Sequence, residues 1–312
     1  MHVLVTGGLG YLGRAVTLDL LAAGHRVTVL TRGRVDAARP DGVGLAQGDV
    51  RDRARMRDLF AAGRFDAVCH LAAVSRGRDS FADPLTYYDV NVGGTLNLLM
   101  ALESVRGSAS PARFLFASTD KIYGSQRAGA LGEDLAPQPE SPYAASKAGA
   151  EQLVAAYAAT GAIGAVTLRC FNVAGVAHGR ADTDDARIIP NVLRALTGEL
   201  PCITLNGDGS AVRDFVHILD VVAAMRLSLA AVEVGESRVY NIGSGVGSSM
   251  AQVLATAEAV TGLPVPVRKA PPKREPQAVT ADNRRAVKEL GWLPERSDLA
   301  GMIAEAWHAW PA

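Results

Sequence analysis

The sequence is poor in the residue types that would support several classes of function. Its three cysteines, Cys69, Cys170 and Cys202, are too few and too scattered for a disulfide framework or a zinc site. Lys plus Arg and Asp plus Glu are both 32, so no excess of positive charge predicts binding to nucleic acid or anionic lipid. No apolar run reaches the ~18 residues of a membrane span, and no basic segment precedes a signal-peptide core. We therefore expect a cytoplasmic globular protein in a reducing environment, with no metal site.

Hydrophobic residues, by contrast, make up 48% of the 312 residues, enough for one large α/β domain or two smaller ones. In the first half, short apolar runs alternate with helical patterns, beginning with a strand at His2–Thr6 and a helix at Tyr11–Ala23. This alternation predicts a Rossmann-type, doubly wound parallel sheet over residues 1–170. We expect residues 171–312 to form mainly a smaller substrate-binding lobe, with segments such as Val239–Ile242 returning to the large domain.

The segment TGGLGYLG follows the first predicted strand and opens the first predicted helix. Gly7 permits a tight turn, Gly10 lets the backbone approach a pyrophosphate, and Gly13 permits close packing of the helix on the sheet. The helix N-terminus at Tyr11 and Leu12 presents N–H groups and a partial positive charge to such an anion. In this context the motif predicts a dinucleotide-binding site.

The end of the second predicted strand bears on the choice between NAD and NADP. NAD sites carry an acid about 20 residues after the glycines, where it binds the ribose hydroxyls. Thr31 and Arg32 stand there instead, and an arginine attracts a 2′-phosphate, so NADP is slightly favoured over NAD. The alternative is that Arg32 stacks on the adenine or lies in solvent. Further cofactor contacts are expected in the GDVRD and HLAAV segments, at Asp49, Val50, Leu71, Ala72 and Ala73.

Tyr143 and Lys147, in PYAASK, are four residues apart at the start of a predicted helix and therefore share one face. An ammonium beside a phenol lowers the pKa of the phenol toward neutrality, which makes tyrosine a usable general base for a sugar or alcohol hydroxyl. The YxxxK pattern is weak evidence alone. Because this chain also has a dinucleotide-binding loop, and FASTDKIYG lies one strand–helix unit before the pattern, YxxxK here is specific evidence for a catalytic pair.

Taken together, these motifs resemble those of the extended short-chain dehydrogenases/reductases, in the branch of epimerases and dehydratases that acts on nucleotide sugars. The resemblance runs nearly end to end, through TGGLGYLG, GDVRD, HLAAV, PLTYYDVNVGGT, FASTDKIYG, SPYAASK, LRCFNVAG, VRDFVHILD, YNIGSG and KELGW. It implies an NAD(P)-dependent enzyme that binds a nucleotide-diphosphate sugar. It also implies a homodimer that pairs the long helices at Pro84–Ser104 and Tyr143–Ala159.

Carried over position by position, the resemblance implies roles for individual residues. Tyr143 is the implied base, Lys147 its activator and a ribose ligand, and Thr119 the hydroxyl beside the sugar O4. Asn91 is implied to fix the helix behind the site and is included among the cofactor-binding residues. The other implied substrate contacts are Ser75 and Arg76 and, for the diphosphate, Asn172, Arg213 and Arg274, with Lys273 the alternative to Arg274.

Three departures from the epimerase pattern keep the reaction open. The acid of the second strand is replaced, as described above, and Ser75–Arg76 stand where the epimerases carry a lysine. Asp120 and Lys121 replace a small pair of the epimerases, at a place where the 4,6-dehydratases carry an acid–base pair. Only five of the 32 basic residues are lysines, and two of these, Lys121 in FASTDKIYG and Lys147 in PYAASK, lie in the predicted catalytic segments.

Several reactions follow from these observations. The overall pattern favours a 4-epimerase acting through a transient 4-keto sugar. Asp120 and Lys121 favour a 4,6-dehydratase, in which they would manage loss of the 6-hydroxyl, unless Lys121 points to solvent. Thr31 and Arg32, at the end of the second predicted strand, favour a 4-ketosugar reductase that uses free NADPH. The intact Thr119, Tyr143 and Lys147 argue against a non-catalytic dinucleotide-binding module.

Overall fold

A computed structural model describes residues 1–33, 39–105, 113–125, 129–272 and 276–310. Its strands are β1 (His2–Thr6), β2 (Arg26–Thr31), β3 (Gly44–Gln47), β4 (Ala67–His70), β5 (Arg113–Thr119), β6 (Gly164–Cys170), β7 (Asn172–Ala174), β8 (Val176–Ala177), β9 (Arg180–Ala181), β10 (Ile203–Asn206), β11 (Val212–His217), β12 (Ser237–Ile242), β13 (Gly247–Ser249), β14 (Val267–Ala270) and β15 (Ala278–Val279). Its α-helices are α1 (Tyr11–Ala22), α2 (Arg53–Gly63), α3 (Pro84–Tyr88), α4 (Gly94–Ser104), α5 (Pro142–Ala158), α6 (Ile188–Leu196), α7 (Ile218–Ala231), α8 (Met250–Thr261), α9 (Arg284–Leu290) and α10 (Leu299–His308).

The chain divides into two compact units. The first unit comprises Met1–Ile122, Pro137–Arg169 and Val222–Tyr240. The second unit comprises Tyr123–Ala136, Cys170–Val221 and Asn241–Ala312. Each unit has a hydrophobic core of its own, built around β1, β4 and β5 in the first and around α6, α8 and α10 in the second.

The first unit is built on a seven-stranded sheet with the order β12-β6-β5-β4-β1-β2-β3. β1 pairs in parallel with both β2 and β4, and the parallel pairing continues to β3 on one side and β5 on the other. Because the strand order reverses at β1, the carboxyl ends of β1 and β4 flank the place where open α/β sheets bind ligands. The predicted doubly wound parallel sheet is confirmed.

Most of the strands and helices of this unit lie close to where the sequence patterns predict them. β4 and β6 are buried along their whole length, including the polar side chains of His70 in β4 and of Thr167 and Arg169 in β6. Ser141 caps α5 by accepting a hydrogen bond from the backbone N–H of Ala144 at 3.2 Å, and Pro142 occupies the first turn. The helix predicted over Pro84–Ser104 is divided by a π-helical turn at Asp89–Gly93, so α3 and α4 are two helices in one rod.

The second unit is made of short strands that pair over long sequence distances. β11 pairs in parallel with β7 and β15 and antiparallel with β13, and β10 pairs in parallel with β14. The segment predicted as loop-like between residues 175 and 186 contains the two-residue strands β8 and β9. Their turn has positive φ angles of 50° at His178 and 72° at Gly179. Across the described ranges, no helix combines the length and apolarity needed to cross a bilayer.

Candidate active site

The glycine-rich turn between β1 and α1 has the shape that a dinucleotide phosphate requires. Gly7 has φ 71°, and a Cβ there would lie 2.8 Å from the backbone N of Ala72. A Cβ on Gly13 would overlap the carbonyl oxygen of Gly7, so this position admits only glycine. At Gly10 the one described atom within 4 Å of a Cβ would be the Gly7 oxygen, at 3.4 Å, which leaves the backbone approachable. Gly10 also provides no side-chain cap to α1, whose first residues are Tyr11 and Leu12.

The loop after β4 closes one side of this turn. Leu71 donates its backbone N–H to the Thr6 carbonyl at 3.1 Å, and Ala72 donates its own to the Thr6 hydroxyl at 3.1 Å. Ala73 follows in the same half-buried stretch. At the end of β5, the buried Ser118 hydroxyl has no hydrogen-bond partner among the residues that the structure describes. An open glycine cradle and an orphan hydroxyl at the same sheet edge fit a bound dinucleotide.

The residues expected at the adenosine end are arranged around two arginines. Thr31 accepts a hydrogen bond on its hydroxyl from Gly33 N–H at 3.2 Å, and Arg32 is exposed. The Asp49 carboxylate accepts hydrogen bonds from the Arg51 guanidinium at 2.9 and 3.1 Å. Those hydrogen bonds, with a smaller contribution from the charge of Arg32, lower the pKa of Asp49 below its usual value. The next residue along, Val50, is buried against Gly94 of α4.

Tyr143 and Lys147 lie one turn apart at the start of α5, as predicted. Tyr143 is half-buried, whereas Lys147 is buried, with Nζ 4.0 Å from the centroid of the Phe116 ring. Phe116 belongs to β5, which ends at Thr119, so the buried ammonium packs against the strand that carries the predicted hydroxyl. The half-buried phenol and the buried ammonium match the residue types needed to abstract a proton from an alcohol.

Asn91, within the π-helical turn, connects the loop after β4 to α5. Its side-chain oxygen accepts from Val74 N–H at 2.9 Å, and its amide donates to the Val74 carbonyl at 3.0 Å. The same amide donates to Ser146 Oγ at 2.9 Å, and Ser146 in turn donates to the carbonyl of Tyr143 at 2.8 Å. Asn91 therefore holds the turn of α5 that carries Tyr143. Ser146 was not singled out from the sequence, although it lies inside the PYAASK motif.

Thr119, Asp120 and Lys121 form a compact polar group at the end of β5. The Thr119 hydroxyl donates to Asp120 Oδ1 at 3.2 Å, and Lys121 Nζ donates to Asp120 Oδ2 at 2.8 Å. Thr119 Oγ1 also accepts from the backbone N–H of Lys121 at 3.3 Å. The Asp120 side chain is 3% exposed and that of Lys121 is 44% exposed. Lys121 is thus partly open to solvent, with its ammonium fixed by a buried carboxylate.

A second buried polar group, centred on His70 at the end of β4, was missed by sequence reasoning. Thr95 donates its hydroxyl proton to the Asn91 carbonyl at 2.6 Å, so it must accept from His70 Nε2, 3.0 Å away. His70 Nδ1 then accepts from the Thr6 hydroxyl at 2.7 Å, and Thr6 accepts from Ala72 N–H. Thr95 and Thr6 lie 25 and 64 residues from His70 in the sequence, so no local sequence pattern predicts these contacts.

The surroundings of His70 keep its ring neutral. Complete burial, together with the positive charge of Lys147, lowers the pKa of His70 to about 3. The ring packs against Phe114 and Phe116, with centroids 6.1 and 5.7 Å away. A neutral imidazole with one donor and one acceptor nitrogen satisfies both of its threonine neighbours.

Tyr87 is a further residue of this region that the sequence did not single out. Its ring meets the Tyr143 ring edge-on, with centroids 6.2 Å apart, and its hydroxyl donates to the Arg76 carbonyl at 2.6 Å. Ser80, fully buried, donates to the Gly77 carbonyl at 2.6 Å. These bonds fix the loop in which the predicted substrate residues Ser75 and Arg76 are exposed.

In the second unit, two of the residues expected at the diphosphate lie together. Asn172 Nδ2 donates to the Asp214 carbonyl at 2.9 Å, on the paired strands β7 and β11. Arg213 donates to the Pro276 carbonyl at 2.9 Å. The Asp214 side chain is buried, which raises its pKa, and it accepts hydrogen bonds from the neighbouring loops. The other two candidates, Lys273 and Arg274, lie outside the described residues.

Comparison with known proteins places this arrangement in a family. Residues 3–243 match the model of the NAD-dependent epimerase/dehydratase family. The chain belongs to that family. A UDP-glucose 4-epimerase of Streptomyces lividans is 37% identical over 97% of this chain and 94% of its own length.

Solved structures agree with the family assignment. The Thermus thermophilus UDP-glucose 4-epimerase in complex with NAD is 32% identical, with a TM-score of 0.87 and 100% of both chains covered. The Stenotrophomonas maltophila UDP-glucose 4-epimerase, with bound NAD and formylated UDP-arabinopyranose, is 31% identical, with a TM-score of 0.88 and 99% and 97% coverage. The prediction of an NAD(P)-dependent enzyme of the nucleotide-sugar epimerase type is confirmed. The slight preference for NADP finds no support in these two relatives, which hold NAD.

Proposed function

We propose that this family member is a UDP-hexose 4-epimerase that interconverts UDP-glucose and UDP-galactose with NAD as its resident cofactor. The observation that carries the proposal is the pairing of Tyr143 with the buried Lys147 on α5, against the strand that ends at Thr119. It lies in the same unit as the glycine-rich turn, at the carboxyl edge of one parallel sheet. The named relatives support UDP-sugars as the substrate class.

The chemistry assigned to the protein is proton transfer at O4. Tyr143 takes the O4 proton when C4 is oxidised and returns it when C4 is reduced from the other face. Lys147 favours the phenolate by its charge, and Thr119 hydrogen-bonds O4 and keeps it beside Tyr143. NAD, held at the glycine-rich turn, would supply the acceptor and later the donor of the C4 hydride. In the second unit, Asn172 and Arg213 are proposed to hold the diphosphate, for which a guanidinium fork is suited.

The test of this function is conversion of UDP-glucose by purified, NAD-loaded protein without added cofactor. We expect UDP-galactose to accumulate to equilibrium. Tyr143→Phe should lower kcat by at least about 10²-fold, the usual contribution of a positioned base, while NAD stays bound. Tyr157→Phe is the matched control, because Tyr157 lies on the same helix and donates to Glu103 at 2.6 Å. Full activity of Tyr143→Phe, or no product from the wild type, would refute the proposal.

The choice of NAD has its own measurement. Arg32 lies near Asp49, whose carboxylate is already held by Arg51, so the adenosine end carries charges of both signs. We expect NAD to bind more tightly than NADP in equilibrium titrations of cofactor-free protein. Arg32→Ala should leave the affinity for NAD within about threefold. Tighter binding of NADP, lost in Arg32→Ala, would show instead that Arg32 recognises the 2′-phosphate.

The dehydratase alternative is distinguished by what happens at C5. A base at C5 must face the sugar, whereas Lys121 Nζ is hydrogen-bonded to Asp120 Oδ2 at 2.8 Å and Asp120 Oδ1 accepts from the Thr119 hydroxyl at 3.2 Å. We therefore expect no solvent deuterium at C5 of the product formed in D₂O. Deuterium at C5, together with loss of the 6-hydroxyl, would establish the dehydratase reaction.

We also propose a homodimer. Large apolar side chains are exposed along the rod of α3 and α4 and the turn before it: Phe81 (65%), Leu85 (78%), Tyr88 (43%) and Leu96 (42%). An apolar stripe of this kind favours association with a second copy. Leu85→Asp should shift sedimentation from dimer to monomer, whereas Val246→Asp, at a 67%-exposed valine of the second unit, should not. A wild-type monomer at micromolar concentration would refute it.

A further inference from the structure

The Thr119 hydroxyl is committed to a neighbour before any substrate arrives. A threonine hydroxyl has one proton and two lone pairs. Its proton points to Asp120 Oδ1 at 3.2 Å, and one lone pair accepts the backbone N–H of Lys121 at 3.3 Å. What remains for a ligand at Thr119 is one lone pair, which can accept a hydrogen bond but cannot donate one.

Asp120 is built to keep that orientation. Its side chain is 3% exposed, and each of its two oxygens has a donor, the Thr119 hydroxyl on one and the Lys121 ammonium on the other. An uncompensated carboxylate at this depth would be costly, and the ammonium at 2.8 Å supplies the compensating charge. The Lys121 side chain is half-exposed, but its ammonium is bound to the buried Asp120 carboxylate.

We propose that Asp120 is a positioning residue that makes Thr119 an obligate hydrogen-bond acceptor toward the sugar, a role that rests on the function proposed above. Thr119 accepts the O4–H in the resting complex, while its own proton stays on Oγ1 in the hydrogen bond to Asp120 Oδ1. When C4 is oxidised, the one O4 proton turns from Thr119 to the Tyr143 oxygen. Tyr143 is then the only hydroxyl of the pair that exchanges a proton with O4, which it does when C4 is oxidised or reduced. Asp120 and Lys121 take part in no proton transfer at C5 or C6.

A positioning role for Asp120 can be distinguished from a merely structural ion pair by its dependence on the Thr119 hydroxyl. A structural pair stabilises the end of β5 whether or not Thr119 has a hydroxyl. An orienting carboxylate acts through that hydroxyl, so its effect disappears once the hydroxyl is removed. The distinction calls for a double-mutant cycle between Thr119→Val and Asp120→Ala.

The first arm of the test needs no substrate. Urea unfolding of the four cofactor-free proteins of the cycle measures the coupling between the two side chains. We expect the unfolding equilibrium constants to show about threefold to tenfold coupling, the usual net worth of one hydrogen bond. Additive effects of the two substitutions would overturn the hydrogen bond itself, whatever reaction the protein catalyses.

The second arm uses NAD-loaded enzyme and UDP-glucose. Asp120→Ala should lower kcat/KM about tenfold in the Thr119 background but less than about twofold in the Thr119→Val background. Asp120→Asn is the conservative rescue, because its amide oxygen still accepts from Thr119, and it should stay within about threefold of wild type. An acid–base role for Asp120 predicts the opposite, with Asp120→Asn as impaired as Asp120→Ala.

The third arm reads the direction of the hydrogen bond. UDP-4-deoxy-4-fluoroglucose offers an acceptor where UDP-glucose offers a donor, so it should bind wild-type enzyme more weakly than UDP-glucose does. In Asp120→Ala the Thr119 hydroxyl is free to rotate and donate, and the ratio of the two Kd values should fall at least about threefold. An unchanged ratio would overturn the proposal. Failure of the wild type to convert UDP-glucose would count against the proposed function alone, since the urea cycle still decides the role of Asp120.

Discussion

The neutral, buried His70 makes a specific prediction about stability at acidic pH. The pKa of His70 is lowered from 6.5 to about 3 in the folded protein, chiefly because the ring is fully buried. Between those two values the unfolded chain binds a proton that the folded chain does not. Stability is therefore lost as the pH falls below about 6.5, with a slope of about 1.4 kcal/mol per pH unit from this residue. From pH 7 to pH 5 the loss comes to about 2 kcal/mol.

The assay compares wild type with His70→Gln, which cannot titrate, by urea unfolding at pH 5, 6, 7 and 8 at constant ionic strength. Circular dichroism is the suitable probe, because all three tryptophans, Trp292, Trp307 and Trp310, lie in the second unit. Wild type should lose about 2 kcal/mol more than His70→Gln between pH 7 and pH 5, and the two curves should run parallel above pH 7.

Thr95→Val is the matched control for this experiment. It removes the acceptor of His70 Nε2, 3.0 Å away, but leaves the titrating ring in place. Thr95→Val should therefore be less stable than wild type at every pH while keeping the dependence on pH. Equal slopes for wild type and His70→Gln would refute the reasoning, because they would mean that the buried ring contributes no difference in proton binding.

Two further predictions concern the loop over Tyr143 and the glycine turn. Tyr87→Phe removes the 2.6 Å bond to the Arg76 carbonyl but keeps the ring contact with Tyr143, so KM for UDP-glucose should rise about fivefold with kcat nearly unchanged, as steady-state kinetics would show. A proportional fall in kcat instead would contradict a loop-holding role. Gly10→Ala should keep wild-type stability but lose NAD, whereas Gly13→Ala should lose both, as measured by urea unfolding and retained cofactor. Retention of NAD by Gly13→Ala would contradict the cradle geometry.

Much of the first unit could be predicted from sequence because its signals are local. The limits of β1 and β2 coincide with short apolar runs bounded by turn residues, and α5 begins at a capping serine followed by proline. The π-helical turn at Asp89–Gly93 escaped because one extra residue hardly disturbs the apolar period of a long helix. Its stabilising bonds run from Asn91 to Val74 and Ser146, 17 and 55 residues away.

The strands of the second unit were harder to predict from the sequence, because their local signals are weak. Strands of two to four residues, such as β8 and β10, are too short to establish a period, and their partners are distant in sequence. β11 pairs with β7 through Phe215 and Asn172, and with β15 through Val212 and Ala278. Such pairings are decided by tertiary packing rather than by propensity.

The same division applies to the candidate site. Tyr143, Lys147 and Thr119 are found by motif, because the chemistry demands those residue types at those spacings. His70 and Tyr87 carry no such signature, since their value depends on partners that only the fold brings near. Asp120 and Lys121 were visible as a charged pair, but the sequence left open whether Lys121 faces solvent, and the ion pair answers that the ammonium is bound to Asp120.

One hydrogen-bonded path connects the glycine turn to Tyr143 and includes His70, which the sequence analysis did not identify. It starts at Thr6, which immediately precedes the glycine turn, and crosses through His70 and Thr95 to the carbonyl of Asn91. From the Asn91 side chain it continues through Ser146 to the carbonyl of Tyr143. Every step is a bond between buried or half-buried groups, where an unmade bond is costly, so the path resists distortion. Transfer of hydrogen at one carbon requires cofactor and base to be fixed with respect to each other, and this path joins the two elements that we propose to hold them.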